Sequence, residues 1–196
     1  LHALALVRAL SFADLAACAD KATRWDRLGL AMPLLLSREE FLSSLDAFPL
    51  EFGDILARHV TLAGTDPFQG AHVPSEDLRR ACEVQAKSHL IHLREGFLES
   101  GGQPTEVDRL IRESASAFAT LLTNLARLDG EEAPDTAALA RYAHDRLGVS
   151  GTLVERVLRT DRPRAADEVL QIYAPYHDAV SLIAVRVDRW KDPTKA

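Results

Sequence analysis

The sequence predicts a mainly α-helical fold, an up-and-down bundle of six to seven helices preceded by a small strand-helix-strand fragment. Three observations predict it. Apolar residues recur at three- and four-residue steps through most of the chain after residue 37. N-capping residues and glycines punctuate those stretches at helix-length intervals. Two short apolar runs, both before residue 38, lack helical spacing.

Leu4, Ala5, Leu6 and Val7 form the first of those runs and suit a buried strand. Ser11 offers an N-cap, Leu15, Cys18, Ala19, Ala22 and Trp25 follow at helical spacing, and Gly29 supplies a stop, so a helix is predicted over 12–28. Met32 to Leu36 is apolar but contains Pro33, which has no backbone donor, and reads as a short edge strand. Ser37 and Glu40 form a capping box for a helix to about Phe48. Pro49 either kinks that helix or begins the next, which carries Phe52, Ile55, Leu56 and Val60 and stops at Gly64. Residues 65–74 read as a loop.

Ser75 caps a long helix to about Ser100, ended by Gly101 and Gly102, and Thr105 caps a second that reaches about Leu128. Leu78, Cys82, Leu90, Leu93 and Phe97 line the first; Val107, Ile111, Phe118, Leu122 and Leu125 line the second. The loop between them is short, so the two pack antiparallel. A polar linker over 131–135 precedes shorter helices over 136–147, 150–159 and 165–174. Pro175 then introduces a last helix to about Trp190, with Val180, Ile183, Ala184 and Val187 as its packing face.

The 196 residues carry 23 Lys and Arg against 29 Asp and Glu, a net charge of −6, and 47% are hydrophobic. That suits one domain, or one domain and a fragment, with a sizeable core. The acidity argues against duplex nucleic acid or an anionic membrane as partner, since both are bound by clustered Lys and Arg. No run approaches the ~20 apolar residues of a membrane-spanning helix. Cys18 and Cys82 sit inside helical patterns and read as reduced thiols of a cytoplasmic protein.

No complete catalytic constellation is legible. Gly-x-Ser-x-Gly, a glycine-rich phosphate loop, Cys-x-x-Cys and His-Glu-x-x-His are all absent from the sequence. His89, His92 and Glu95 stand three apart on one predicted helix, a spacing that suits zinc or iron, but the Glu-x-x-His pairs of a bundle metal site do not occur. His144-Asp145 and His177-Asp178 resemble the pair for which a class of all-helical metal phosphohydrolases is known, with His89 or His92 before them. Glu51, Asp54 and Arg58 are three and four apart and share a helix face, with His59 beside it. No catalytic residue, metal or cofactor is assigned.

The run from Leu45 to His59, then Gly64-Thr65-Asp66-Pro67-Phe68, resembles a stretch of uncharacterised bacterial nucleotidyltransferase-like proteins of the DNA polymerase β superfamily. Leu78 to Glu83 and Leu90 to Arg94 are similar to the same family. The resemblance covers most of residues 4–128. It implies a nucleotidyltransferase-type α/β domain followed by a helical domain, with residues 1–37 the tail of the first and 38–196 the second. The family's chemistry implies a Gly-Ser turn and then a strand bearing Asp-x-Asp, whose carboxylates hold divalent metal on a triphosphate. Neither is in this sequence, and Leu1, His2 and Ala3 stand where acids belong. The catalytic elements are expected upstream of Leu1 or lost.

On that resemblance Glu51, Asp54, Arg58 and His59 form the seam toward a ligand or an adjoining domain, and Arg79, Lys87 and Arg94 meet an acidic ligand. The expectation is a noncatalytic or degenerate nucleotidyltransferase-like protein whose helical domain binds a small-molecule substrate or a partner, such as an upstream nucleotidyltransferase-like domain. Its rivals are a helical module that forms a homodimer and the metal phosphohydrolase.

Overall fold

A computed structural model describes residues 3–191. Leu1 and His2, and with them part of the expectation about missing acids, lie outside the described residues. The fold is mainly α-helical, with a small two-stranded parallel sheet before the long helices. The chain divides into two compact units, Leu1–Pro74 and Ser75–Ala196. No helix among the described residues is long and apolar enough to cross a membrane.

The first unit runs β1 (Leu4–Val7), α1 (Phe12–Ala19), α2 (Ala22–Arg27), β2 (Leu34–Ser37), α3 (Arg38–Ser43) and α4 (Pro49–Arg58). β1 pairs parallel with β2 in a register that sets Leu4 opposite Leu34 and Val7 opposite Ser37. Parallel neighbours need a crossover, which α1 and α2 supply. The single helix expected over 12–28 is two, because the backbone tightens at Lys21 and Arg24 into bonds three residues back (Lys21 N to Cys18 O and Arg24 N to Lys21 O, both 2.9 Å). Neither piece has a fully buried residue, so no packing rewards a continuous rod.

Ser37 ends β2 and caps α3 at once. Its backbone N–H donates to Glu40 Oε2 (2.6 Å), and Glu40 N–H donates back to Ser37 Oγ (3.0 Å). α3 stops at Ser43, short of Phe48, and Pro49 opens α4 at its first position, where a missing N–H costs nothing. α4 in turn stops at Arg58 rather than Gly64, since His59 is extended and its Nδ1 faces the carbonyls of Ile55 (3.1 Å) and Leu56 (3.2 Å).

Phe41, Leu45, Phe52 and Phe68 make the core of this unit, with Leu4, Leu6 and Leu36 of the strands against it. Phe41 stacks on Phe52 at 4.6 Å and meets Phe68 at 4.8 Å. The sequence divides the chain after residue 37; the compact units divide after Pro74, because these rings bind α3 and α4 to the strands.

In the second unit α5 (Ser75–Glu99) and α6 (Pro104–Leu128) are antiparallel, with Gln85 opposite Asn124 and Gly96 against Leu110. Gly101 and Gly102 turn the chain between them at φ 57° and 70°. The cap of α6 is Gln103 rather than Thr105, since Pro104 takes the first helical position. α7 (Thr136–Tyr142) runs on into a π-helical turn over Ala143–Leu147, and α8 (Gly151–Leu158) follows. α9 (Ala166–Asp188) is one helix with Pro175 inside it, not two helices divided there. A mid-helix proline costs ~3 kcal/mol. Burial of Ile172, Tyr173, Tyr176 and Ala179 on both sides of it outweighs that cost. Val180, Ile183, Ala184 and Val187 are buried as expected.

A buried ion pair ties α6 to α8. The side chain of Arg164 has no solvent exposure; Nη1 donates to Asp108 Oδ1 (2.9 Å), and Nη2 donates to the carbonyls of Arg156 (2.6 Å) and Arg159 (2.8 Å) at the end of α8. Arg112 Nε donates to the other Asp108 oxygen at 2.9 Å. Burial pushes the Asp108 carboxyl up, but the bonds from Arg164 and Arg112 outweigh it and hold it below its ordinary value. Removing one partner strands an enclosed charge, so Asp108→Ala is expected to destabilise the protein by ~3–5 kcal/mol in urea unfolding. A double replacement by Leu at 108 and Met at 164 recovers most of that loss.

Candidate functional site

The candidate site is a cleft of about 750 Å³ in the first unit, at the carboxyl ends of the two parallel strands. Leu6, Val7 and Arg8 line it from β1 and its exit, Arg38, Glu39, Leu42 and Ser43 from α3, and Pro67 from the loop that follows α4. In open parallel sheets this end of the strands is where ligands sit. Val7 pairs with Ser37, and Arg8 and Arg38 directly follow these two residues, Arg38 as the first residue of α3. Two guanidinium groups thus leave adjacent strand ends and line one cleft. Arg38 is steadied by donating Nε to the Pro67 carbonyl at 3.1 Å. Glu39 is the carboxylate among the lining residues.

The arrangement selects for an anion. Like charges at neighbouring positions repel, and a phosphate or carboxylate between two guanidinium groups relieves that repulsion while accepting forked hydrogen bonds. Neither strand carries a carboxylate: β1 reads Leu-Ala-Leu-Val and β2 reads Leu-Leu-Leu-Ser. Sequence reasoning missed Arg8 and Arg38. The available signal was that each directly follows a four-residue apolar strand, but only parallel pairing in this register brings them together.

A second cleft of about 570 Å³ lies in the helical unit, lined by Asp129, Arg146, Leu182, Val185, Arg186, Arg189, Trp190 and Lys191. Its four cations look equally suited to an anion, but the local field differs. α6 ends at Leu128 and α9 at Asp188, so both present their carbonyl ends near this cleft, and cations there balance the helix dipoles. Asp129 accepts hydrogen bonds from Tyr142 Oη (2.9 Å) and Trp190 Nε1 (3.1 Å), and Arg146 pairs with Glu131 at 2.8 Å. Arg146 is thus paired, and the helix carbonyl ends set a negative background for the cleft.

The residues singled out in the sequence make separate local contacts. On α4, Asp54 pairs with Arg58 at the surface and Glu51 is exposed. His59 turns away toward the Phe68 ring (4.7 Å, edge to face) and Asp66 (Nε2 to Oδ1, 3.3 Å), where it fastens the loop after α4. On α5 each cation has a partner: Arg79 bonds Glu83 (2.7 Å) and Glu76 (3.4 Å), Lys87 pairs with Glu83 and Asp188, and Arg94 Nε donates to His177 Nε2 (3.1 Å). The α4 and α5 groups belong to different compact units.

The two metal readings find no converging donors. His89 is buried, with Nε2 2.7 Å from Tyr176 Oη, whereas His92 and Glu95 are exposed. His144 and Asp145 are exposed on the π-helical turn, and His177 contacts its neighbour Asp178 at 3.2 Å. Among the described residues no three His, Cys, Asp or Glu side chains form a group that could hold a metal ion. Both cysteines are free thiols, and burial pushes the Cys82 thiol up to about 12. Comparison with family models, with curated proteins and with solved structures finds no match to this chain.

Tyr176 Oη also lies 3.1 Å from Ser114 Oγ, so His89, Tyr176 and Ser114 join α5, α9 and α6 inside the bundle. Burial, helped by the nearby His92, lowers His89 from 6.5 to about 4. The folded state therefore holds a neutral imidazole, and the unfolded state takes up the proton first as pH falls. That contribution to stability is complete above pH ~6.5 and drains away toward pH ~4, by about 3 kcal/mol. Urea unfolding of the protein and of His89→Gln at pH 7 and pH 4.5 checks it: the variant loses less stability on acidification.

Proposed function

We propose that this chain is a nucleotidyltransferase-like protein that binds a phosphate-bearing small molecule and has no catalytic carboxylates on its own strands. The helical unit is its companion domain. The observation that carries the reading is that Arg8 and Arg38, each directly after the carboxyl end of one of two parallel strands, line one cleft. A small α/β unit followed by a helical one is the organisation that the family resemblance of residues 4–128 implies, and a triphosphate supplies the anion that the two arginines lack. Catalysis in that family needs paired acids on a strand beside the nucleotide. The strands of this chain offer aliphatic side chains and one serine instead.

Isothermal titration calorimetry with ATP and with inorganic triphosphate, each with and without Mg²⁺, tests the reading. Binding is expected, and Arg8→Glu or Arg38→Glu is expected to weaken it at least tenfold, the ~1.4 kcal/mol or more of a charge-assisted hydrogen bond. Failure of the protein to bind either probe removes the ligand assignment. Metal-dependent transfer of a nucleotide to any acceptor removes the noncatalytic one.

A further inference from the structure

We propose that the outer face of α5 is a dimerisation surface, on which α5 of a second copy packs side by side in parallel and in register. This does not depend on the ligand reading. Val84, Ile91 and Leu98 are 69%, 52% and 78% exposed and recur every seven residues on one helix. The core face of the same helix is Cys82, Ala86, His89 and Leu93. At ~100° per residue the three exposed side chains point about 180° from that face. They are therefore a second apolar stripe rather than the edge of the core, and a seven-residue apolar repeat is the period that two packed helices share.

Charge selects the occupant and its direction. Arg80, Lys87 and Arg94 flank the stripe on one side with the same seven-residue period, and Ala81, Ser88 and Glu95 flank it on the other. Within the chain Arg80 pairs with Asp77, Lys87 with Glu83 and Asp188, and Arg94 with His177, all at the surface, where such pairs hold little energy. Two parallel copies related by a two-fold axis along the helices place the basic flank of each against the Ala81, Ser88 and Glu95 flank of the other, with Arg94 beside the Glu95 of its mate. An antiparallel pair sets basic against basic. The surface thus fits a second copy of itself in one orientation only. Three apolar layers fall below the ~800 Å² per partner of a standard interface, so the association is weak and varies with concentration.

The test uses the full chain with Cys18→Ser, leaving Cys82 in the core, and adds Val84→Cys, Ile91→Cys or Leu98→Cys singly. A parallel, in-register pair sets each position opposite itself, so all three variants are expected to form disulfide-linked dimers on mild oxidation. Cross-linking of Ile91→Cys alone, with Val84→Cys joining only to Leu98→Cys in a mixture, indicates an antiparallel pair and overturns the proposal. Sedimentation velocity supplies the second readout. Mass is expected to rise with concentration, and Ile91→Glu, folded by circular dichroism, is expected to weaken association at least tenfold. A protein that stays monomeric at every concentration reached, with none of the three cysteines cross-linking, also overturns it.

Discussion

The helical unit is organised around the enclosed guanidinium of Arg164. A charge cut off from water costs several kcal/mol unless opposing dipoles or ions surround it, and here both terminal nitrogens are met while the buried Nε has no hydrogen-bond partner. Asp108 supplies the ion, and the carbonyls of Arg156, Val157 and Arg159 supply the negative end of α8. Those four acceptors come from α6 and from the last turn of α8, and Arg164 stands two residues before α9 begins. Satisfying one cation therefore sets the packing of α8 on α6 and the point from which α9 departs. From there α9 crosses Pro175 unbroken because Tyr173 Oη donates to the Leu93 carbonyl (2.6 Å) on α5 and Tyr176 reaches His89 and Ser114. Polar anchors on both sides of the proline, and not local propensity, hold the helix together there.

The first unit works with less. A two-stranded sheet is marginal by itself, and parallel strands are ordinarily covered on both faces. Here Leu4, Leu6 and Leu36 lean on the cluster of Phe41, Phe52 and Phe68, while α1 and α2 have no buried residue and leave Phe12, Leu28 and Met32 exposed. The order of the strand pair comes from the aromatic cluster and from Ser37, which closes β2 and starts α3 in one residue. His59 extends the same economy: one imidazole takes up the open carbonyls at the end of α4 and fixes the loop that delivers Phe68 and Pro67. Because Pro67 lines the cleft, the aromatic cluster and the candidate site share a support.

What the sequence made legible follows from the range of the interaction concerned. The stripes of α5 and α6, the Ser37 and Glu40 box and the glycines at 101 and 102 act within a turn or two, and each stands where its local chemistry places it. The break at Asp20 has no proline or glycine to announce it, and Pro175 announces a break that tertiary packing cancels. Thr105 was outcompeted by the proline beside it. For the site, Asp54 and Arg58 could be read as neighbours because they are four apart on one helix, but nothing local says that His59 is claimed by Phe68 and Asp66. Arg8 and Arg38 are thirty positions apart, and their adjacency exists only through the register of the two strands.

Both clefts are lined with arginine, and the difference between them is the background field. At the end of the bundle, Arg146, Arg186 and Arg189 stand before the carbonyl ends of α6 and α9 and beside Asp129, so an added anion meets negative dipoles behind the cations. At the strand ends Arg8 and Arg38 directly follow the last paired strand residues instead. Where two such side chains come within ~5 Å of each other, their unit charges repel by ~0.8 kcal/mol in bulk water and by ~3 kcal/mol at the effective dielectric of a protein surface. Flexible side chains that swing into solvent bring the figure toward the lower limit, which the fold carries easily. An anion that draws both guanidinium groups back into the cleft converts that repulsion into two attractions. The strand-end arginines thus cost the free protein little and reward a bound anion more, an imbalance that the bundle cleft, with helix carbonyl ends behind its cations, does not offer.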